Sequence, residues 1–184
     1  MSKIGKKPIN IPENVKVEIN GSLVKVWGPL GNLEFEYPSH IFKIEKENNI
    51  LKIIPLQELD KKTKPLWGTI RSILNNKILG VSQGFKKTLI LQGLGYNAEI
   101  KGNKIVFRLG FSHLVEVEIP QGIEIELKQE KGRVIIIIKG IDKEKVGNFA
   151  AKIKSLKPAD RYHLKGFMYE GEFIPTKQVK KLGK

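Results

Sequence analysis

The chain of 184 residues has a globular composition, with 40% hydrophobic and 28% charged residues. This excludes a disordered chain, and no apolar run approaches the roughly 18 residues of a membrane span. The absence of cysteine excludes disulfides, thiolate catalysis and cysteine-based zinc sites. Its N-terminus lacks the apolar core of a secretory signal, so we expect the protein to act in the compartment where it is made.

The positive charge, +14 overall, is concentrated toward the C-terminus. Residues 83–184 carry 20 basic and 11 acidic groups, and residues 152–184 carry 9 and 3. A surplus of this size creates a field that attracts polyanions. We therefore expect a polyanionic partner that contacts the C-terminal half. A charge that serves only solubility is the alternative.

Alternating apolar and polar residues predict that much of the chain forms β-strands. This period-two pattern gives a strand one buried face and one solvent-facing side. It occurs at 15–19, 33–37, 115–119 and 123–128. The segment 133–139 is apolar throughout its centre, which predicts a strand in the middle of a sheet with both faces covered.

Two segments show the apolar spacing of a helix. In the first, residues 63–79, the apolar set is Leu66, Ile70, Ile73 and Leu74. Thr63 is its candidate N-terminal cap, and Gly80 is its predicted end. The second helix follows the candidate cap Asp142, and its apolar set is Val146, Phe149, Ala150 and Ile153.

The two halves of the chain are similar to each other. EINGS (18–22) matches EIKGN (99–103), and LEFEYP (33–38) matches VEVEIP (115–120). Because a helix follows in each half, we predict an α+β fold of two duplicated domains, each a small, mainly antiparallel sheet packed on one helix. The predicted domains are 1–82 and 83–156, followed by a basic C-terminal extension at 157–184. Chance similarity among β-hairpins is the alternative.

The extension mixes basic residues, glycine, proline and aromatic residues without a period. Such a segment cannot bury a core alone, so we predict either a disordered tail or an extension that becomes ordered on a partner. We accordingly expect that deleting residues 157–184 leaves both domains folded.

Two serine motifs resemble enzyme signatures but lack the structure that catalysis needs. GVSQG (80–84) has the pattern of a nucleophile elbow, yet a predicted helix precedes Ser82 where the elbow has a strand. Ser112 and His113 are adjacent in GFSH, and neighbours along a strand point to opposite faces. The three histidines and the scattered carboxylates show no spacing for a metal or for acid–base catalysis. We therefore predict no enzyme activity and no metal.

The Gly93-x-Gly95 turn resembles a dinucleotide-binding motif only in part. The third glycine of that motif would stand at position 98, which is alanine. The helix that the motif requires is replaced by a predicted hairpin that turns at Gly102 and Asn103. We therefore predict no cofactor and no small-molecule substrate.

The series GVSQGF, GLGY, KGN and LGFSH, within residues 68–113, resembles the domain junction of the bacterial-type sixth large-subunit ribosomal protein family. The start MSKIGKKPINIP, the segment GIDKEKVGNFAAKIKSL and the tail YHLKGFMYEGEF resemble the same family, so the match covers essentially the whole chain. The resemblance implies two duplicated α+β domains. It also implies binding to large-subunit rRNA near the sarcin–ricin loop and the stalk base, beside neighbouring ribosomal proteins, mostly through the C-terminal domain and tail.

The tail departs from the family pattern at two positions. The family usually reads Tyr-Lys-Gly-Lys-Gly, whereas this chain reads Tyr162-His163-Leu164-Lys165-Gly166. A fixed cation is replaced by a titratable histidine and a flexible glycine by leucine. YEGEF resembles plastid members, so we expect a ribosome in an organelle matrix or stroma (plastid or mitochondrial), or in the cytoplasm of a bacterium with a biased genome.

We predict three groups of RNA-binding residues, because cations neutralise phosphates and small residues let backbone amides approach them. The tail group is Lys154, Lys157, Arg161, Tyr162, His163, Lys165, Gly166, Lys177, Lys180 and Lys181. The loop group of the second domain is Gly93, Gly95, Tyr96, Arg108, Gly110, Ser112 and His113. The N-terminal group is Lys3, Lys6 and Lys7. For each lysine a solvated surface charge is the alternative, and for Tyr96 a place in the core.

Two other classes of protein stay open. A non-ribosomal basic RNA-binding module accounts for the charge but not for the full-length resemblance. A peripheral protein on an anionic membrane needs a basic amphipathic helix, whereas both predicted helices face a core. We therefore predict no membrane partner.

Overall fold

The computed structural model describes residues 3–61, 63–130 and 132–177. By its internal contacts the chain divides into two compact units, Met1–Phe85 with Ile141–Lys143 and Lys86–Gly140 with Glu144–Lys184. This division differs from the predicted bounds of 1–82, 83–156 and 157–184, because the extension is grouped with the second unit.

The first unit contains two antiparallel sheets and one helix. Its elements are β1 (Ile9–Asn10), β2 (Lys16–Asn20), β3 (Leu23–Gly28), β4 (Gly31–Glu36), β5 (Phe42–Glu47), β6 (Ile50–Pro55) and α1 (Thr63–Gln83). The strands are ordered β2-β3-β4 in one sheet and β1-β6-β5 in the other. In β3 the alternation places Val24 and Val26 in the core, where they pack with Leu74 and Ile78 of α1 in one buried cluster.

Helix α1 begins at the predicted Thr63, but its cap and its end differ from the prediction. The backbone N–H of Thr63 donates to Asp60 Oδ1 at 2.7 Å, and the N–H of Asp60 donates to Thr63 Oγ1 at 2.9 Å. Asp60 is therefore the cap, in a reciprocal arrangement that satisfies two free donors. The predicted end at Gly80 is wrong: the helix continues to Gln83, and Gly84, at φ 73°, donates to the Gly80 carbonyl.

The second half repeats this plan with one additional strand. Its elements are β7 (Phe85–Gln92), β8 (Asn97–Lys101), β9 (Lys104–Arg108), β10 (Val115–Glu118), β11 (Ile123–Glu130), β12 (Arg133–Gly140), α2 (Lys143–Leu156) and β13 (Gly166–Tyr169). The sheet orders are β10-β9-β8 and β11-β12-β7-β13. The order β5-β6-β1 corresponds to β11-β12-β7, which confirms the predicted α+β fold of two duplicated domains.

Several local predictions for the second half are confirmed. Strand β12 lies between β11 and β7, as its apolar centre predicts. Strands β8 and β9 pair from Asn97↔Arg108 to Lys101↔Lys104, so the hairpin turns at Gly102 and Asn103. The whole predicted apolar face of α2 is buried.

The extension contributes to the core, so the expectation that it adds little is wrong. Strand β13 pairs antiparallel with β7, with Phe167 opposite Leu91 and Met168 opposite Ile90. The Phe167 side chain is fully buried, and its ring meets the edge of the Phe107 ring at a centroid distance of 5.2 Å. Four residues without a long pattern form a strand here because β7, far away in sequence, supplies their hydrogen-bonding partners.

Candidate nucleic-acid interface

The segment between α2 and β13 is a loop closed at its base by backbone hydrogen bonds. The N–H of Phe167 donates to the carbonyl of Lys157 at 2.8 Å, and the N–H of Ala159 donates back to the carbonyl of Phe167 at 3.1 Å. We call residues 158–166 the extension loop. Because Phe167 is anchored in the core, the loop begins and ends on fixed backbone.

Asp160 organises the tip of the extension loop. Its carboxylate accepts hydrogen bonds from the backbone N–H groups of Tyr162 (2.8 Å), His163 (2.6 Å) and Lys165 (3.2 Å). These donors, chiefly the His163 N–H, hold the pKa of Asp160 below its ordinary value. Leu164 adopts φ 55°, in the left-handed region that favours glycine, at the position where the family pattern has one.

Up to residue 177, where the described part ends, the extension loop and the segment after β13 carry three exposed cations. Arg161, Lys165 and Lys177 are exposed, and the N–H of Lys177 donates to the Arg161 carbonyl at 2.9 Å, which brings two of these residues together. Among residues 3–61, 63–130 and 132–177, no carboxylate forms an ion pair with any of the three. Tyr162 and His163 are exposed on the same loop. These side chains can therefore meet an external anion.

Lys154, placed in the same predicted group, is already paired. Its ammonium lies 2.5 and 2.7 Å from the two carboxylate oxygens of Glu172, and 4.6 Å from the Tyr169 ring centroid. The side chains of the pair are only 24% and 29% exposed. The Lys154 hydrogen bond lowers the pKa of Glu172, and a hydrogen bond from the Tyr169 N–H adds to this effect. Lys154 thus fastens α2 to the segment after β13.

Lys157 also points into the protein. Its ammonium donates to the Leu109 carbonyl at 2.6 Å, and it lies 4.8 Å from the Tyr96 ring and 4.5 Å from the Phe111 ring. A cation close to aromatic faces is attracted by their negative electrostatic potential. Lys157 therefore connects the base of the extension loop with two loops of the second unit, those at 93–96 and 109–113.

Three of the predicted glycines are explained by packing. A side chain at Gly93 would overlap the Tyr96 ring, and one at Gly110 (φ 74°) would lie 3.2 Å from the same ring. At Gly166 a Cβ would lie 2.5 Å from the Lys157 carbonyl oxygen, at φ 131°. Gly95 differs, because it has φ 74° with open space around its Cα. Tyr96 is half-buried and belongs partly to the protein interior.

The end of β9 and the loop that follows it carry the remaining predicted residues of the second unit. Arg108, Ser112 and His113 are exposed. The His113 ring stacks on the ring of Phe111, with centroids 5.9 Å apart and planes inclined by 13°. Phe111 was absent from the predicted set, although an aromatic residue between a glycine and a Ser-His pair was visible in the sequence.

The N-terminal group lies in the first unit, and all its members, Lys3, Lys6 and Lys7, are exposed. They belong to a different unit from the extension loop and the loops at 93–96 and 109–113. Lys180 and Lys181 lie outside the described residues.

The described residues hold neither a metal-binding group nor a membrane-spanning helix. No group of three or more His, Asp or Glu side chains in that part of the chain is arranged to hold a metal ion. None of its helices is both long enough and apolar enough to cross a membrane.

The chain was compared with known proteins. The family model described as Ribosomal protein L6 matches residues 11–84 and 92–170, one region in each half. The large ribosomal subunit protein uL6 of Dictyoglomus thermophilum is 48% identical over 181 residues, which cover 98% of both chains. The uL6 proteins of Dichelobacter nodosus and Thermosynechococcus vestitus are 43% and 39% identical, over 98% and 100% of this chain and 99% and 100% of their own.

These matches confirm the resemblance seen in the sequence. They cover both halves in order, in agreement with the duplication in the strand orders. An organellar origin stays a prediction. The chain belongs to the ribosomal protein L6 family, whose members are structural proteins of the large ribosomal subunit and not enzymes.

Proposed function

We propose that the chain is a structural constituent of the large ribosomal subunit that binds large-subunit rRNA near the sarcin–ricin loop and the stalk base. There it supports the region to which translation factors bind, next to neighbouring ribosomal proteins of the stalk base. The RNA contact is made by the second unit, through the extension loop and the loops at 93–96 and 109–113.

The main support for this proposal is the set of unpaired cations on the extension loop and on the segment after β13. Arg161, Lys165 and Lys177 are exposed and have no carboxylate partner among the described residues, whereas many strand lysines, such as Lys16 and Lys52, are paired with glutamate. Asp160 holds the loop in shape before RNA arrives, which reduces the conformational entropy lost on binding. Neutralising phosphates with such cations releases counterions and favours binding.

The other predicted residues fall into two roles. Lys154, Lys157, Gly93, Gly110 and Gly166 are fixed by contacts within the protein, so we assign them to positioning the RNA-facing loops. Direct contact is assigned to the exposed groups. These are Gly95, Arg108, Arg161, Ser112, His113, Tyr162, His163, Lys165 and Lys177. Lys180, Lys181 and the N-terminal lysines stay as predicted additional contacts.

The decisive experiment measures the salt dependence of binding to an rRNA fragment that contains the sarcin–ricin loop. Replacing Arg161 and Lys165 by alanine is expected to weaken binding and to reduce the slope of log K against log salt by about 0.7–0.9 per lost phosphate contact. The matched control replaces Lys16 and Lys52, which are paired on strand faces, and should leave the slope unchanged. An unaltered slope in the Arg161→Ala, Lys165→Ala variant would contradict the assignment.

Co-sedimentation separates a ribosomal protein from a general RNA-binding module. A ribosomal constituent is expected to remain with large subunits at high salt, because shape-specific contacts persist when phosphate attraction is screened. Release of the wild-type chain from the subunits at high salt would favour a non-ribosomal basic module.

A further inference from the structure

We propose that Phe111 and His113 form a stacking platform for one unpaired nucleobase. This inference rests on the RNA binding proposed above, and it names the feature of the RNA that the 109–113 loop recognises. We call the two rings together the Phe111–His113 platform.

The platform has the geometry of a stacked aromatic pair on the protein surface. The rings are nearly parallel, at 13°, with their centroids 5.9 Å apart, and 45% of Phe111 is exposed. His113 is exposed as well. Proteins bind unpaired bases by stacking them on aromatic rings, because every base has an apolar, polarisable face. A paired base in a helix keeps both faces stacked within the strand, so the platform selects unpaired nucleotides.

The platform is held in position from within the protein. The Lys157 ammonium lies 4.5 Å from the centroid of the Phe111 ring and is fixed by its hydrogen bond to the Leu109 carbonyl. The adjacent Gly110 adopts φ 74° and passes close to Tyr96, which sets the direction in which the loop leaves β9. A ring that is ordered before binding loses less conformational entropy when a base stacks on it.

Charge favours a nucleic acid as the occupant of the platform. Among the described residues, no carboxylate forms an ion pair with the half-buried Lys157, so its positive charge near the Phe111 ring is not neutralised by a carboxylate. Arg108, at the end of β9, adds an exposed cation next to the same loop. The exposed Leu114 makes an apolar protein partner the competing occupant, and the experiment must separate the two.

The test uses the full chain and a sarcin–ricin rRNA fragment with 2-aminopurine at each unpaired position in turn. Stacking on the platform is expected to quench the fluorescence of one such probe, and to leave a probe in a fully paired duplex unchanged. Phe111→Leu and His113→Ala should abolish the quenching and weaken binding at least about fivefold. Phe111→Leu should leave the salt slope unchanged, because that substitution removes no cation. His113→Phe should retain the quenching.

Phe173→Leu is the matched control, since Phe173 is 88% exposed in the same unit but belongs to no ring stack. It should bind and quench like the wild type, and circular dichroism should show every variant folded. Loss of binding in Arg161→Ala, Lys165→Ala with full binding and quenching in Phe111→Leu and His113→Ala would overturn the platform and leave the proposed function intact.

Two further outcomes are decisive. If the wild-type chain does not bind the fragment, both the platform and the proposed function fail. If Phe111→Leu binds the fragment normally but no longer joins large subunits, the surface contacts a protein, and the stacking proposal is wrong.

Discussion

The sheet β1-β6-β5 of the first unit and the sheet β11-β12-β7-β13 of the second are built in the same order, but the second has one strand more. In the described part of the first unit, no strand pairs with the outer edge of β1. In the second unit that edge, on β7, is covered by β13 from the extension. An edge strand exposes unpaired backbone groups, and a fourth strand satisfies them. The extension therefore completes the sheet of the second unit and also carries cations to its surface.

The largest effect on stability is expected from deleting the extension, which removes the additional strand of the second unit. Deleting the chain after Leu156 should abolish cooperative unfolding of the second unit, because β7 loses its neighbour and the core loses Phe167. Far-UV circular dichroism reports both units, whereas the two tryptophans, Trp27 and Trp67, report only the first. A truncated chain that keeps the full cooperative transition in circular dichroism would show that β13 is dispensable.

A single side chain should reproduce much of that loss. Phe167→Ala is expected to lower the free energy of unfolding of the second unit by about 3–5 kcal/mol, since the Phe167 ring is fully buried against Phe107. The measurement is urea unfolding followed by circular dichroism. Phe173→Ala, which removes an exposed ring from the same segment, should stay within about 0.5 kcal/mol of the wild type. Equal effects of the two substitutions would contradict this account.

Substitutions at two glycines of the extension distinguish the cost of a steric contact from the cost of backbone strain. Gly166→Ala should destabilise the second unit by about 3 kcal/mol, because φ 131° is combined with a Cβ only 2.5 Å from the Lys157 carbonyl oxygen. Gly171 has φ 76° in open space, so Gly171→Ala should cost about 1 kcal/mol from the backbone alone. Thermal unfolding checks both values, and a Gly166→Ala variant no less stable than Gly171→Ala would refute the close contact.

The ion pair of the extension should have a smaller effect that depends on pH. Lys154→Met is expected to cost about 1 kcal/mol at neutral pH, because the pair with Glu172 is only partly exposed. The pKa of Glu172 is lowered in the folded protein, so its contribution is present above the ordinary glutamate pKa of about 4.3 and is lost as the pH falls through the lower folded value. Unfolding measured across this range should show a larger loss in the wild type than in Lys154→Met, which keeps only the hydrogen bond from the Tyr169 N–H.

A matched change in the first unit provides the control for this ion pair. Lys52 pairs with Glu47 at 2.6 Å, but both side chains are exposed, so Lys52→Met should change stability little at any pH. The free energy of unfolding of each variant is compared with that of the wild type at each pH. If this difference changed with pH by the same amount in both variants, burial would not distinguish the two pairs.

The smallest effect is local and concerns the extension loop. The folded pKa of Asp160 is lowered by the N–H of His163 and its neighbours, so the loop should stay ordered above about pH 4 and loosen as the pH falls through the lower folded value. NMR should detect lower protection of the Tyr162 and His163 amides against hydrogen exchange under acid, measured relative to the intrinsic exchange rate at each pH. Asp160→Asn, which keeps an oxygen acceptor but does not titrate, should remove this pH dependence, and an unchanged dependence would exclude Asp160 as its source.

Several features of the fold were predictable because they depend on neighbours along the chain. The alternation around Val24 and Val26 and the helical spacing of Val146, Phe149 and Ile153 each assign a buried face directly. The repeated segments and the C-terminal charge likewise required no contact between distant residues. The family motifs then indicated the function that the comparisons support.

The candidate site was less predictable, because its residues are brought together from distant parts of the chain. Lys154, Lys157 and Lys165 look alike in sequence, yet Glu172 pairs with the first, two rings and a carbonyl hold the second, and only the third is free of such partners among the described residues. Phe111 gains its role from His113 and Lys157 together. Composition gives the number of cations, but not which of them face solvent.

Local periodicity and composition were sufficient to predict the strands of the alternating segments, the two helices, the duplication and the excess of positive charge. That Gly166–Tyr169 forms a strand could be seen only in the tertiary structure, because the hydrogen-bonding partners of this segment lie on β7. The same holds for which cations remain unpaired, because ion pairing depends on distances between residues far apart in the chain.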